Sequence, residues 1–126
     1  MAKILVVEDN PHNLELIKIV LERDGFEVIK AEDGLRAIEE ARLHHPDLIM
    51  MDMQLPGIDG YETTRRLKAD KELSKIPVLA VTAYALPGDE EKALKAGCSG
   101  YIPKPIDTRK LSKTIREVLE DAEKEK

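Results

Sequence analysis

The stretch DLIMMDMQLPGIDG, residues 47–60, decides how this chain folds. Its continuous apolar run, Leu48 to Met51, reads as a strand covered on both faces, as in a parallel sheet flanked by helices. The run ends on a carboxylate, Asp52, and Pro56 and Gly57 then turn the chain away. Aspartate is a common turn residue, so Asp52 by itself could be no more than a strand terminator. What the other strand ends deliver decides whether it belongs to a site.

Working outward, two hydrophobic periods alternate. Upstream, KILVV (3–7) is a second continuous apolar strand. A helix follows, with Asn10 as N-cap, Pro11 as its first residue, Leu14, Ile17 and Leu21 on one face, and Gly25 as its stop. FEVIK (26–30) alternates as an edge strand does, and residues 33–45 form a helix with Leu35, Ile38 and Ala41 inward, ended by Pro46. Downstream come a helix over 59–70, a strand over 76–83, a short helix over 87–97 closed by Gly97, and a strand within 99–105. A last helix over 107–126 takes Asp107 as its cap and Leu111, Ile115, Val118 and Ala122 as its inner face. This strict alternation predicts an α/β fold: a (βα)5, flavodoxin-like three-layer sandwich. The expected strand order of its parallel five-stranded sheet is 2-1-3-4-5.

The bulk numbers fit one domain over residues 1–126, with a core of about 2–121 and a charged, fraying helix end at 122–126. Cys98 is the only cysteine, so no intrachain disulfide framework exists, and a reducing, cytoplasmic location is expected. No apolar stretch approaches the ~20 residues of a membrane span, and no basic cluster suggests a nucleic-acid surface or a DNA-binding domain. Net charge is −5, with 25 acids against 20 bases. Where the acids fall matters more than their sum.

In open α/β sheets the site lies beyond the carboxyl ends of the strands. The first strand delivers Glu8 and Asp9 there, the third Asp52, the fourth Thr82, and the fifth Lys104, just after Tyr101. Three clustered carboxylates repel one another unless a cation lies among them. Oxygen-only ligands select a hard ion, Mg²⁺ first and Mn²⁺ as a substitute. A cation, a lysine and a hydroxyl around one carboxylate are what a transferring phosphoryl group needs. Asp52 is then the nucleophile and forms an acyl phosphate.

The pieces VVEDN, MDMQLPGIDG, AVTA and GYIPKPI, in this order and at these spacings, resemble the receiver domain of two-component response regulators, over residues 2 to about 121. MDMQLPGIDGYE and YIPKPID look most like stand-alone or hybrid-kinase receivers. The resemblance implies a phosphorelay switch rather than an enzyme, one that catalyses its own phosphorylation and dephosphorylation. Asp52 would accept phosphate from a phosphohistidine on a sensor histidine kinase or histidine phosphotransferase. Asp9 would bind Mg²⁺ directly together with Asp52, Glu8 through water, and Gln54 through its backbone carbonyl. Lys104 would pair with a phosphate oxygen ahead of a cis peptide at Pro105. Thr82 and Tyr101 would move together as the switch, and the signal would pass to a downstream protein. Gln54, Ala83 and Tyr84 would tune the lifetime of the phosphate, with Tyr84 shielding it from water. The family often has aspartate where Glu8 stands, so altered Mg²⁺ affinity is expected.

Three alternatives stand beside this reading. A phosphorylation-independent binding module of the same fold would be favoured by loss of an acid or of the lysine, and all are present. An Mg²⁺-dependent phosphatase with an aspartate nucleophile would carry a second aspartate two residues on, where this chain has Gln54. A flavin-binding flavodoxin would need a Ser/Thr-rich phosphate loop after the first strand, and VEDNPHN is acidic. The helix over 87–97 has little to bury and is expected to be loosely held, so the face it forms with the fifth strand and fifth helix is a candidate signalling surface. The first helix is a candidate docking site for the kinase partner, with His12 and Leu14 as its exposed contacts.

Overall fold

The structure is a computed structural model that describes residues 1–83, 86 and 88–124. Five strands, β1 (Lys3–Val7), β2 (Glu27–Ala31), β3 (Leu48–Asp52), β4 (Val78–Thr82) and β5 (Gly100–Pro103), alternate with five helices. The helices are α1 (Pro11–Arg23), α2 (Gly34–His44), α3 (Gly60–Ala69), α4 (Asp89–Ala96) and α5 (Leu111–Lys124). The strands form one parallel sheet in the order β2-β1-β3-β4-β5, as the alternation predicts.

The apolar strands bury both faces because successive side chains point opposite ways. Ile4, Val6, Leu48, Met50, Leu79 and Val81 face α1 and α5, packing on Leu14, Ile17, Leu21, Leu111 and Ile115. Leu5, Val7, Ile49, Met51, Val78 and Ala80 face α2, α3 and α4, where Ala37, Ala41, Leu67, Ala93 and Ala96 meet them. The alanines on this second face let the helices approach closely.

Helix starts follow local chemistry. The Asn10 side chain accepts from the N–H groups of His12 and Asn13, Asp33 from that of Arg36, and Asp59 from that of Glu62. Within α3 the buried hydroxyls of Thr63 and Thr64 donate to the carbonyls of Asp59 and Gly60, each at 2.7 Å. The αL backbone of Gly97, at φ 111°, closes α4.

Four details differ from the sequence reading. Leu35 is 57% exposed, because Gly34, Ala37 and Ala41 take the inward positions of α2. Leu14 is buried, so the exposed apolar residues of α1 are Leu16 and Ile19. The fourth helix runs from Asp89 to Ala96 with Gly88 as its cap. Asp107 does not cap α5: its side chain accepts from the Arg109 N–H at 3.0 Å and its carbonyl from the Lys110 N–H at 3.1 Å. That local turn uses up the aspartate, and the α-helix begins at Leu111.

Candidate functional site

Because β1, β3, β4 and β5 are consecutive neighbours, their carboxyl ends open on one crevice. Asp52 pairs in register with Val81, one residue before Thr82, and Thr82 with Pro103, one residue before Lys104. Carboxylate oxygens of Glu8, Asp9 and Asp52 all lie within 4.8 Å of one another. Glu8 and Asp52 are buried, whereas Asp9 is exposed at the rim.

Asp52 is held from two sides. The Lys104 ammonium donates to its Oδ2 at 3.0 Å, and the Gln54 backbone N–H donates to its Oδ1 at 2.9 Å. Lys104 also lies 3.7 Å from Glu8 Oε2. The lysine reaches inward because its own N–H donates to the Thr82 carbonyl at 2.7 Å, ahead of a cis peptide to Pro105. The loop after β3 returns so tightly that a Cβ on Gly60 would lie 2.6 Å from the Asp52 carbonyl oxygen and 2.6 Å from Met53 Cα.

Three carboxylates against one ammonium leave an excess of negative charge. Within this group the pKa of Glu8 rises from 4.5 to about 7. Burial is the largest cause, followed by a hydrogen bond with Asp52 and the repulsion of its charge. Asn13 and Lys104 act in the opposite direction. Glu8 therefore shares the crevice with Asp52 at neutral pH only by holding a proton part of the time, unless another cation offsets the charge. The donor set is made of oxygens alone, as a hard divalent cation requires, so the residues present fit Mg²⁺.

Thr82 is fully buried, and its hydroxyl oxygen accepts from the Gln54 side-chain amide at 2.7 Å. The amide oxygen of Gln54 in turn accepts from the exposed Ala83 N–H at 2.9 Å. Tyr101 is half-buried and packs against the core on the α2–α3–α4 side. Burial, then Asp89 and Glu90 of α4, push its phenol pKa upward, so its hydroxyl stays protonated at neutral pH. Tyr84, expected to shield the site, lies outside the described residues. Cys98 is buried, with its thiol raised chiefly by burial.

The crevice thus brings together Glu8, Asp9, Asp52, Gln54, Thr82, Ala83 and Lys104. Two roles escaped the sequence reading. Asn13 donates to Glu8 Oε1 at 3.2 Å from the first turn of α1. The Gln54 side chain bridges β3 to the end of β4. Asn10, Asn13 and Gln54 are the chain's only amide side chains, which was the available signal.

Five wound βα units with an acidic crevice, a strand-end aspartate and a lysine opposite define a signalling receiver. The model of the response regulator receiver domain matches residues 4–116, and the chain belongs to that family. It is 49% identical over 119 residues to the polar-differentiation response regulator DivK of Brucella ovis, covering 94% of this chain and 97% of that protein. The receiver domain of sensor histidine kinase PA1611 from Pseudomonas aeruginosa, solved with a magnesium ion coordinated in its active site cleft, is 37% identical with a TM-score of 0.86. That match covers 94% of this chain and 97% of that one. The chemotaxis response regulator CheY4 of Vibrio cholerae superposes with a TM-score of 0.88 at 28% identity, covering 94% and 98% of the two chains. Among the described residues no helix is long and apolar enough to cross a membrane.

Proposed function

We propose that Asp52 is the phosphoacceptor of this receiver domain, taking its phosphoryl group from a phosphohistidine of a histidine kinase or histidine phosphotransferase. The observation that carries the reading is the Lys104–Asp52–Gln54 arrangement: a buried carboxylate held by an ammonium on one oxygen and a backbone N–H on the other. In the transfer, an Asp52 oxygen forms the new P–O bond as the P–N bond to the histidine breaks. The imidazole leaves with that electron pair. Lys104 lies where it can take a phosphoryl oxygen, and Thr82 stands at the end of β4, one residue beyond the strand partner of Asp52.

Asp9, Asp52 and the Gln54 carbonyl would hold Mg²⁺, with Glu8 reaching it through water, and Mn²⁺ would substitute. When bound, the ion supplies positive charge to the phosphoryl oxygens. The magnesium in the Pseudomonas receiver supports this assignment. The domain is proposed to span residues 1–126 and to act as a switch whose phosphorylated form binds a downstream protein. Thr82 and Tyr101 are its moving parts, and the cytoplasm is its proposed location.

A groove of about 400 Å³ adjoins the crevice, lined by Leu16 and Ile17 of α1 and by Pro105, Ile106 and Thr108 ahead of α5. Glu8, Asn13 and Lys104 line it as well. A groove that is apolar on its α1 and Pro105–Ile106 walls and shares Glu8 and Lys104 with the crevice suits the contact surface of a phosphohistidine donor.

The test is intact-protein mass after incubation with acetyl phosphate and Mg²⁺. One labile phosphoryl adduct is expected, absent without Mg²⁺ and absent from Asp52→Ala. An adduct that persists in Asp52→Ala removes Asp52 from the role. No adduct from either acetyl phosphate or a phosphohistidine donor would leave the phosphorylation-independent module.

A further inference from the structure

We infer that the side chain of Gln54 is an intramolecular latch on the switch: it occupies the end of β4 in the unphosphorylated protein and must let go when Asp52 is phosphorylated. The inference rests on the phosphoacceptor reading of Asp52 and adds a regulatory part to that site. Three hydrogen bonds from one residue carry it. The Gln54 backbone N–H donates to Asp52 Oδ1 at 2.9 Å, its side-chain N–H donates to Thr82 Oγ1 at 2.7 Å, and its side-chain oxygen accepts from the Ala83 N–H at 2.9 Å. The first bond ties Gln54 to the acceptor, and the other two clamp the last residue of β4 and the one after it.

The chemistry of the clamp is specific. A phosphoryl group on Asp52 brings three anionic oxygens that need donors within hydrogen-bond reach. The exposed Ala83 N–H is such a donor, and in this structure the Gln54 carbonyl oxygen already takes it. The Thr82 hydroxyl is a second donor, and the Gln54 amide fixes where its oxygen sits. At the Ala83 N–H, Gln54 thus stands in for the phosphoryl group as acceptor, while toward Thr82 its amide is a donor that holds the hydroxyl oxygen in place. Its neutral amide oxygen is a weaker acceptor than a phosphoryl oxygen, so an acyl phosphate displaces it. The released amide can turn to water, because Gln54 is only partly buried. The latch sets a threshold: it favours the resting arrangement of Thr82 and Ala83 while leaving Asp52 open to attack on phosphorus.

Gln54 acts through Thr82 and Ala83, so it is a positioning residue. Its test separates hydrogen bonding from bulk. Gln54→Ala removes both, whereas Gln54→Met keeps nearly the same length and volume without an amide. In the unphosphorylated full chain, amide exchange of Ala83 followed by NMR should be protected in the parent and fast in both variants. Labelling by acetyl phosphate with Mg²⁺ should be about two- to tenfold faster in both, the range that one net hydrogen bond sets. Asn at this position is one methylene shorter, cannot bridge both partners, and should behave as the alanine variant does. Faster labelling in Gln54→Ala with parental labelling in Gln54→Met would mean that the side chain acts by bulk, and the latch falls. Equal labelling of the parent and both variants, with an adduct on Asp52 in each, removes the latch and leaves the phosphoacceptor reading standing. Absence of any adduct in all of them, from acetyl phosphate and from a phosphohistidine donor alike, removes both.

Discussion

Glu8 carries the cost of burying a carboxylate beside Asp52. Its pKa is about 7 in the folded chain against an ordinary 4.5, so the folded state holds the proton more tightly than the unfolded one. A raised pKa of this kind gives stability that is fully present below about 4.5 and is lost as pH rises through about 7. At ~1.4 kcal/mol per tenfold change in proton affinity, the loss reaches up to about 3 kcal/mol. Glu8→Gln should therefore raise the thermal midpoint in chelator at pH 8 and change little at pH 4. An unchanged midpoint at pH 8 would contradict the strained-carboxylate account. A divalent cation reverses the balance, because it needs the carboxylate ionised. Mg²⁺ affinity measured by calorimetry should fall about tenfold from pH 8 to pH 6 in the parent. The Glu8→Gln variant should show a flatter profile, and parallel profiles would exclude Glu8 as the titrating group. The sequence places Glu8 at the site without difficulty, since it directly follows β1. Its proton is not legible there, because burial and the nearness of Asp52 arise only when β1 and β3 pair.

At the scale of elements, tight returns and loose helices have different causes. The β3–α3 return depends on Gly60, whose missing Cβ lets α3 start against the backbone of Asp52 and Met53. Gly60→Ala should destabilise the fold by about 2–3 kcal/mol, because backbone rather than a flexible side chain must shift. A denaturant midpoint within error of the parent would show that the loop relaxes freely. The α4 helix is the opposite case. It buries only Ala93 and Ala96, leaves Leu94 52% exposed, and rests Lys92 over the Tyr61 ring at 4.3 Å. Its amides should exchange well before those of β3, whose five residues are all buried. The weakness of α4 is legible in DEEKALKAG, because counting its apolar residues suffices. The Tyr61–Lys92 contact is not, since it joins residues thirty-one positions apart through tertiary packing. Leu35 misled for a related reason: helical period places it one turn from Ile38, but α2 approaches the sheet through Gly34, Ala37 and Ala41. Close approach favours small residues over the larger one.

For the molecule as a whole, the alternation of periods was enough to read the topology, and the topology alone convened the site. Strand order β2-β1-β3-β4-β5 puts the ends of β1, β3, β4 and β5 side by side, so residues 8, 9, 52, 82 and 104 could be grouped before any distance was known. What periodicity could not supply was the surface left over after both cores had formed. On α1 it is Leu16 and Ile19, 51% and 57% exposed, that remain outside, while Leu14 goes into the core. Leu16 and Lys104 both line the groove that adjoins the crevice, on the sheet face covered by α1 and α5. Leu43 of α2, 72% exposed, lies on the helix layer of the opposite face and serves as its control. If the donor docks on α1 as proposed, it covers this groove to bring its phosphohistidine to Asp52, whereas acetyl phosphate is small enough to enter the crevice without doing so. Leu16→Glu should therefore lower the rate of transfer from a histidine kinase or phosphotransferase that labels the parent by at least about tenfold, as charge in an apolar contact centre does. Its labelling by acetyl phosphate should fall far less, and Leu43→Glu should change neither rate. Equal losses from both donors in Leu16→Glu would point to damage at the crevice itself. Full transfer from the protein donor would move the docking surface off α1.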